Sequence, residues 1–572
     1  METPYDEVAS TITVLDASEL ARKQIQTIAG ALQRVSGMTV TNSGGIGRAT
    51  SVFIRGANPD HTLVLVDGVE LNDPGAPGNA YDFGVLLINN IDRIEVLRGP
   101  QSTLFGSNAI GGVVNILTKK GFGKPRFNAS MQGGTFKTYS TMAGIHGSTE
   151  NVSYSFNTRR FETDGFSAAN EQFGNQENDG FTNTSVSARL GIDTGESIHF
   201  DFINNYVDAT GDLDQSGRIG DDPNNTFNLQ QFSSKTSAHF SLFQNRWQNS
   251  LAFSYTEHSR SSLDEVDEIR TQDASSSRND GTRIKFDWQN NLFLHENNTL
   301  TIGVETEKET SKSEFHSESA FGSFNSTFPN QTARTTGIYL QNQFKLKKRF
   351  FSTLGLRHDQ HSEFGEKTTY RLGLAYIFDK TRTRLKGTLG SGFNAPTLFE
   401  IFDPAFGNPG LKPEKSFGWD LGFEQAFLQS KLILGASFFG NDFDDLIGFD
   451  ENFRSINIDA AQSRGVEVFF KTQLRESLGL QANYTFTETK DESESSSDRG
   501  KGLLRRPRHQ FTLDIDYRFS EKGVANFSVH HAGKRDDKDF TAFPASRVTL
   551  DDYVLVNFAA SYQHRCSAIT WR

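Results

Sequence analysis

From about residue 125 onward, apolar and polar residues alternate one for one, and this period of two limits the fold more than any other feature. Val152, Tyr154 and Phe156 interleave with Ser153, Ser155 and Asn157. Val186, Ala188, Leu190 and Ile192 interleave with Ser187, Arg189, Gly191 and Asp193. Phe511, Leu513, Ile515, Tyr517 and Phe519 do so with Thr512, Asp514, Asp516 and Arg518, and Val466, Val468 and Phe470 oppose Glu467 and Lys471. Such segments are strands with one apolar and one polar face. A soluble sandwich gives the same alternation, with its apolar face inward. Scale separates the two. The pattern recurs over about 450 residues without a helical segment or a linker, well beyond an ordinary sandwich domain. A transmembrane barrel turns the arrangement inside out, with apolar residues toward lipid and polar ones toward the lumen. Closure into a cylinder pairs the backbone groups that hydrocarbon cannot satisfy.

Composition agrees with that reading. Mean hydropathy is negative, and no apolar run approaches the length of a transmembrane helix. A barrel escapes that test because only alternate residues meet lipid. Phe is abundant at 50 of 572 residues. The single cysteine, Cys566, excludes a disulfide framework and a cysteine metal site. A net charge of −12 argues against a nucleic-acid partner, which needs a basic face.

The first 120 or so residues differ. Ser18 is a candidate N-cap with Glu19 in the following turn, and Gly30 interrupts a helical stretch that stops near Gly37. Val52-Phe53-Ile54 and Thr62 to Val66 read as short buried strands, and Asp67-Gly68 turns the second into Val69-Glu70-Leu71. Ile91 to Leu97 and Val113 to Leu117 read as two more. By itself this is a small α/β domain of any function.

Four motifs lie within it in fixed order: Ser51-Val52-Phe53-Ile54-Arg55-Gly56, Leu63 to Val69, Ile91 to Pro100, and Leu104 to Ile116 with Leu104-Phe105-Gly106-Ser107-Asn108 at its head. Together they resemble the plug domain of TonB-dependent receptors. Gly390 to Glu400 and Asn408 to Ser416 resemble that family's late-barrel signature. The compact plug and moderate loops are most similar to the cobalamin-receptor subgroup. The resemblance implies a transmembrane antiparallel β-barrel of about 20–22 strands, over residues 122–572, plugged by an N-terminal α/β domain of residues 1–121. Residues 121–572 number 452, and 452/22 leaves about 20.5 residues per strand plus connection, against roughly 10 for a spanning strand. Polar stretches at 164–179, 208–228, 259–280 and 307–332 are expected as outer loops.

The resemblance also implies a mechanism. Outer loops and plug apex capture a scarce nutrient, and TonB, driven from the inner membrane, pulls on the plug. The implied ligand is a cobalamin-type corrinoid, with a ferric siderophore as the alternative and a passive porin or adhesion barrel as a different class. Partners are TonB, outer-membrane lipid and the small-molecule ligand; a monomer is expected, in the bacterial outer membrane. Arg55 and Arg98 match plug residues that pair with barrel acids, here Asp420 and Glu467. Asp164, Asp179, Asp208 and Asp222 match loop ligands for calcium, a hard cation that takes six to eight oxygens. Asn72, Asp73, Asn79 and Tyr81, in a Gly/Pro/Asn-rich apex, are expected to touch substrate. Two family features are missing: a TonB box ahead of Glu2-Thr3-Pro4, and about two closing strands where the tail runs His564 to Arg572. No signal peptide opens the sequence.

No catalytic set stands out. Gly390-Ser391-Gly392 matches a nucleophile elbow only in part, His530-His531 is a lone pair on a strand, and Gln230-Gln231 and Ser495 to Ser497 are loop residues. An enzyme is not expected, and no cofactor beyond loop calcium.

Overall fold

The computed structural model describes residues 4, 7–195, 197–215, 220–268, 270–450, 453–458, 460–494, 496–539 and 545–564. The opening tripeptide, Ser495 and the tail from residue 565, Cys566 included, lie outside the described residues.

The strand Glu414–Phe427 shows how the wall is built. Ser416, Asp420 and Glu424 are buried, while Phe417, Trp419, Leu421 and Phe423 are exposed, Leu421 at 60%. Polar residues point in and large apolar ones point out, the reverse of a soluble sandwich. Among the described residues, twenty strands run as an antiparallel meander and close into a barrel, with the last, Tyr553–Tyr562, standing beside the first, Arg126–Gly133. That seam differs from the others. Both strands are exposed along nearly their whole length.

The expected loop at 307–332 is instead paired strand. Asn298–Ser319 and Gly322–Leu346 form one ladder with a single shift between Ser311 and Ser313. Apart from Phe315, Phe324 and Phe328 their outer halves are polar on both faces, so the alternation that betrays a strand is lost there. The ladder persists because backbone pairing needs no apolar face. Ala274–His295 extends the same tall wall, which shortens the expected 259–280 connection to residues 265–273.

The plug fills the lumen. Its sheet runs in the order Ile12–Asp16, Ile91–Arg98, Gly112–Thr118, Thr62–Val66, Val69–Glu70, with one parallel pair, Thr62–Val66 on Gly112–Thr118. Leu32, Ile54, Val64, Ile94, Val96 and Val114 form the centre of its core, all fully buried. Asp67, at φ +51°, and Gly68, at +79°, make the expected tight turn. The expected single helix is two short ones, Ala17–Arg22 and Ile28–Leu32. Asp16, not Ser18, stands at the first N-cap. Thr27 caps the second, its hydroxyl accepting from Gly30 N at 3.0 Å. Gly30 therefore starts a helix rather than interrupting one.

Candidate functional site

Arg55 follows the strand Thr50–Ile54 with a left-handed backbone at φ +50°. That turn aims its side chain at the barrel wall. Nε donates to Glu467 Oε1 at 2.8 Å and Nη2 to Oε2 at 3.2 Å, a two-pronged contact. Nη1 lies 3.7 Å from Asp420 Oδ2, and the guanidinium sits 4.6 Å from the centre of the Phe439 ring. Arg98 Nη1 is 3.5 Å from Glu467 Oε2 and donates to Ser36 O, while Nη2 donates to Thr13 Oγ1. The four residues matched by resemblance therefore meet in one cluster. Burial acts to lower the Arg55 guanidinium, and Glu467 with Asp420 outweighs it, so its pKa stands above the ordinary value.

Other plug–barrel contacts escaped the sequence reading. Arg283, on Ala274–His295, lies 3.3 Å from Glu70 of the plug and donates to Asn72 O at 2.7 Å. It also pairs with Glu307, at 3.2 Å, and with Glu309. Next to it Lys285 pairs with Glu305 at 3.2 Å, and Arg357 pairs with Glu305 and Asp359. Burial pushes Glu70 up to about 7, with Arg283 opposing it. Asp514 takes Arg34 at 2.7 Å and Lys23 at 3.1 Å. Strand parity held the signal: Glu305, Glu307 and Glu309 share one face of their strand, as do Arg283 and Lys285 of theirs.

The apex residues face mostly inward. The Asn72 side chain takes Val64 N and donates to Thr62 O and Asn79 O, and it is fully buried. Tyr81 donates to Gln231 at 3.3 Å, and Asp73 accepts from Gly75 N and lies 3.7 Å from Arg260. Three of the expected substrate contacts thus hold the apex together. Asn79, with Pro74, lines a pocket of about 30 Å³ beneath Ala395-Pro396-Thr397-Leu398 and beside His361.

The loop acids regroup. Asp164 pairs with the exposed Lys137 at 2.6 Å and is itself half-buried. Asp208, on Ile198–Asp212, accepts from Tyr206 and Asn228. Neither joins the other two in a common ligand set. Glu177, Asp214 and Asp221 do converge, with one carboxylate oxygen from each within 4.8 Å of the others. Asp179 is held by Arg48 at 2.6 Å, and Asp222 by Arg270 at 3.3 Å. Oxygens of Glu177, Asp179, Asp214 and both of Asp222 are buried without a hydrogen-bond partner. Burial first, then the neighbouring carboxylates, pushes Glu177 up to about 7; burial and Asp179 raise Asp214. A second convergence, Asp60, His61 and Glu414, is already satisfied. His61 Nε2 is 3.0 Å from Glu414, whose oxygens also accept from Asn394 and Ile447 N.

Residues 105–572 match the family model described as TonB dependent receptor-like, beta-barrel, and residues 4–113 match TonB-dependent Receptor Plug Domain. The chain is 26% identical over 578 residues to the vitamin B12 transporter BtuB of Photobacterium profundum, spanning 98% of this chain and 87% of that protein. It is 27% identical to the protein of the same description from Vibrio cholerae, over 96% of this chain and 85% of the relative. Among solved structures it resembles the siderophore receptor PirA of Acinetobacter baumannii, with TM-score 0.78 and 19% identity over 96% and 92% of the two chains. It also resembles the ferric yersiniabactin uptake receptor FyuA of Yersinia pestis, with TM-score 0.79 and 16% identity over 97% and 90%. These are receptors and transporters, not enzymes. A plug sealed by buried ion pairs inside an inverted barrel, matched along nearly its whole length, makes this chain a member of the TonB-dependent receptors of the Gram-negative outer membrane.

Proposed function

We propose that this receptor takes up a cobalamin-type corrinoid, with TonB supplying the work and calcium ordering two outer loops. The near-full-length likeness to vitamin B12 transporters supports the ligand. The observation that carries the loop reading is the group of buried, unpartnered carboxylate oxygens around Glu177, Asp214 and Asp221. Carboxylates crowded out of water need a counter-charge. Arg48 pairs closely with the flanking Asp179, at 2.6 Å, and stands 3.9 Å from Asp214, while Arg270 pairs with Asp222. An all-oxygen donor set on loops suits calcium rather than a softer ion. Glu177, Asp214 and Asp221 would hold it, tying residues 164–180 to 213–225 and so fixing one side of the mouth.

The Arg55–Glu467–Asp420 cluster acts in this reading as the seal of the resting state. A pair buried this deeply holds position more than it adds net stability.

Titration of the detergent-solubilised receptor with cyanocobalamin, with and without about 1 mM calcium, tests the proposal. Calcium-strengthened binding is expected. Binding of ferric siderophores but not of cyanocobalamin would move the assignment to iron uptake.

A further inference from the structure

The lipid-facing wall carries a dent. A groove of about 480 Å³ lies over Gly387, among the outward side chains of Leu372, Leu374, Leu385, Leu389 and Leu421. Gly387, on the strand Thr383–Asn394, stands in register with Leu374 on one neighbouring strand and Leu421 on the other. Its missing side chain leaves a trough in an otherwise continuous apolar surface. The space above it is open: an added Cβ would meet only Asp420 O at 3.4 Å and Leu421 Cδ1 at 3.5 Å. Lys386, Thr388 and Asp420 also border the groove, but their side chains belong to the lumen. There Lys386 meets Glu424 at 2.7 Å, and Thr388 donates to Asp420 at 2.5 Å.

One end of the groove reaches the short turns opposite the outer loops, which is the periplasmic side. Phe350 and Tyr376, paired in register, border it there, and Phe378 packs edge-on against Tyr376 at 4.7 Å. Aromatic rings at this level of a barrel mark the boundary between hydrocarbon and headgroups. Just beyond lie two turns, Lys347-Lys348-Arg349 and Asp379-Lys380-Thr381-Arg382, with five cations and one acid. Arg349 pairs with Asp379 and ties the turns together. Lys347, Lys348, Lys380 and Arg382 are exposed, with no carboxylate partner among the described residues. Turn geometry does not call for these charges. Lys347 and Lys348 are left-handed, at φ +51° and +54°, but Phe243-Gln244-Asn245 and Leu428-Gln429-Ser430 make the same backbone with neutral side chains. Elsewhere on this rim the turns carry single cations, Arg246, Lys431 and Lys522, or acids such as Glu150, Glu296 and Glu476.

We infer that the groove and the two basic turns form one binding site for an anionic phospholipid of the inner leaflet. Its phosphate sits among Lys347, Lys348, Lys380 and Arg382, and an acyl chain lies in the trough over Gly387. The dimensions agree. Gly387 is five residues from Arg382, roughly 17 Å of strand, about one leaflet's share of a hydrocarbon core roughly 30 Å thick. Clustered cations at a membrane surface favour anionic headgroups over zwitterionic ones. A zwitterionic lipid could fill the trough and gain little from the turns. A soluble acidic protein could meet the turns and leave the trough without an occupant. One lipid uses both.

Native mass spectrometry of the detergent-purified receptor tests the site, with phosphatidylglycerol and phosphatidylethanolamine added in equal amounts. The receptor should retain phosphatidylglycerol severalfold better. Lys347→Gln with Lys348→Gln should weaken its retention about tenfold or more and leave phosphatidylethanolamine unchanged. Arg246→Gln with Lys522→Gln removes as many cations from the same rim, away from the groove, and should change little. Gly387→Phe fills the trough and should weaken both lipids. Equal retention of the two lipids by the unaltered receptor, or equal losses from the two double variants, overturns the site. A second measurement needs no variant. Phosphatidylglycerol with a photoreactive acyl chain, in vesicles holding the unaltered receptor, should label Gly365–Phe378 and Thr383–Asn394 above all other strands. Labelling spread evenly round the barrel overturns the proposal.

Discussion

Arg55 and Glu467 face each other across the plug–barrel boundary with two hydrogen bonds, at 2.8 and 3.2 Å, and both side chains are at most 4% exposed. Glu467→Gln leaves a buried guanidinium short of a counter-charge, an effect of about 3–5 kcal/mol. The expected outcome is a plug that opens to protease at lower urea, with the barrel intact. Replacing both residues together with apolar ones of similar size should cost less than either single change, which a double-mutant cycle measures.

Arg283 holds three carboxylates, Glu70, Glu307 and Glu309. Arg283→Gln should therefore lower the midpoint of thermal unfolding far more than Glu70→Gln. Glu70 is pushed up to about 7 and is partly protonated at neutral pH, so an amide there replaces a group already close to uncharged. Differential scanning calorimetry of the two variants checks the order. Equal effects would mean that Glu70 carries full charge.

The loop acids set a pH dependence. Glu177 stands at about 7, above its unfolded value of 4.5. A raised carboxyl binds its proton more tightly when folded. Its stabilisation is complete below the unfolded value and is lost as pH rises through about 7. Without calcium, residues 164–225 should be cut faster by protease at about pH 8 than at about pH 5. Added calcium should protect them at the higher pH, where the carboxylates are free to bind it. Indifference to calcium at both values would remove the metal from the proposal.

The outward face makes a fourth prediction. Leu421 is 60% exposed midway along Glu414–Phe427. Leu421→Arg should cost about 2–4 kcal/mol in lipid vesicles, as a charge on a lipid-facing strand does. Phe449→Arg, in the outer hairpin of Ile447–Phe449 with Ser455–Asn457, should cost little. Denaturant titration in vesicles compares them.

Much of this fold could be read from side-chain parity. Asp420, Glu424 and Ser416 announce an inward face because Phe417, Trp419, Leu421 and Phe423 cannot share it. Motif likeness paired Arg55 with Glu467, although nothing in the local sequence links positions 412 residues apart. Parity failed where both faces meet water, and so residues 307–332 read as loop when they are ladder. It also failed at the acidic loops. Runs of Asp and Glu do not say which carboxylates fold toward one another: the carboxylates that converge are those of Glu177, Asp214 and Asp221, while Asp164 and Asp208 lie apart from them. Asn72 shows a related limit: a polar residue in a Gly/Pro-rich turn serves its own backbone as readily as a ligand, and its side chain bonds Val64 N, Thr62 O and Asn79 O.

The tall hairpin Asn298–Ser319 with Gly322–Leu346 draws its order from its main chain. Its outward side chains, Phe321 at the tip included, contribute little to that order. Mutation can rewrite them at small cost to the cylinder below. The receptor thus shows the outside world a stiff fin whose lettering is free to change, while the machinery that moves cargo keeps its own sequence behind it.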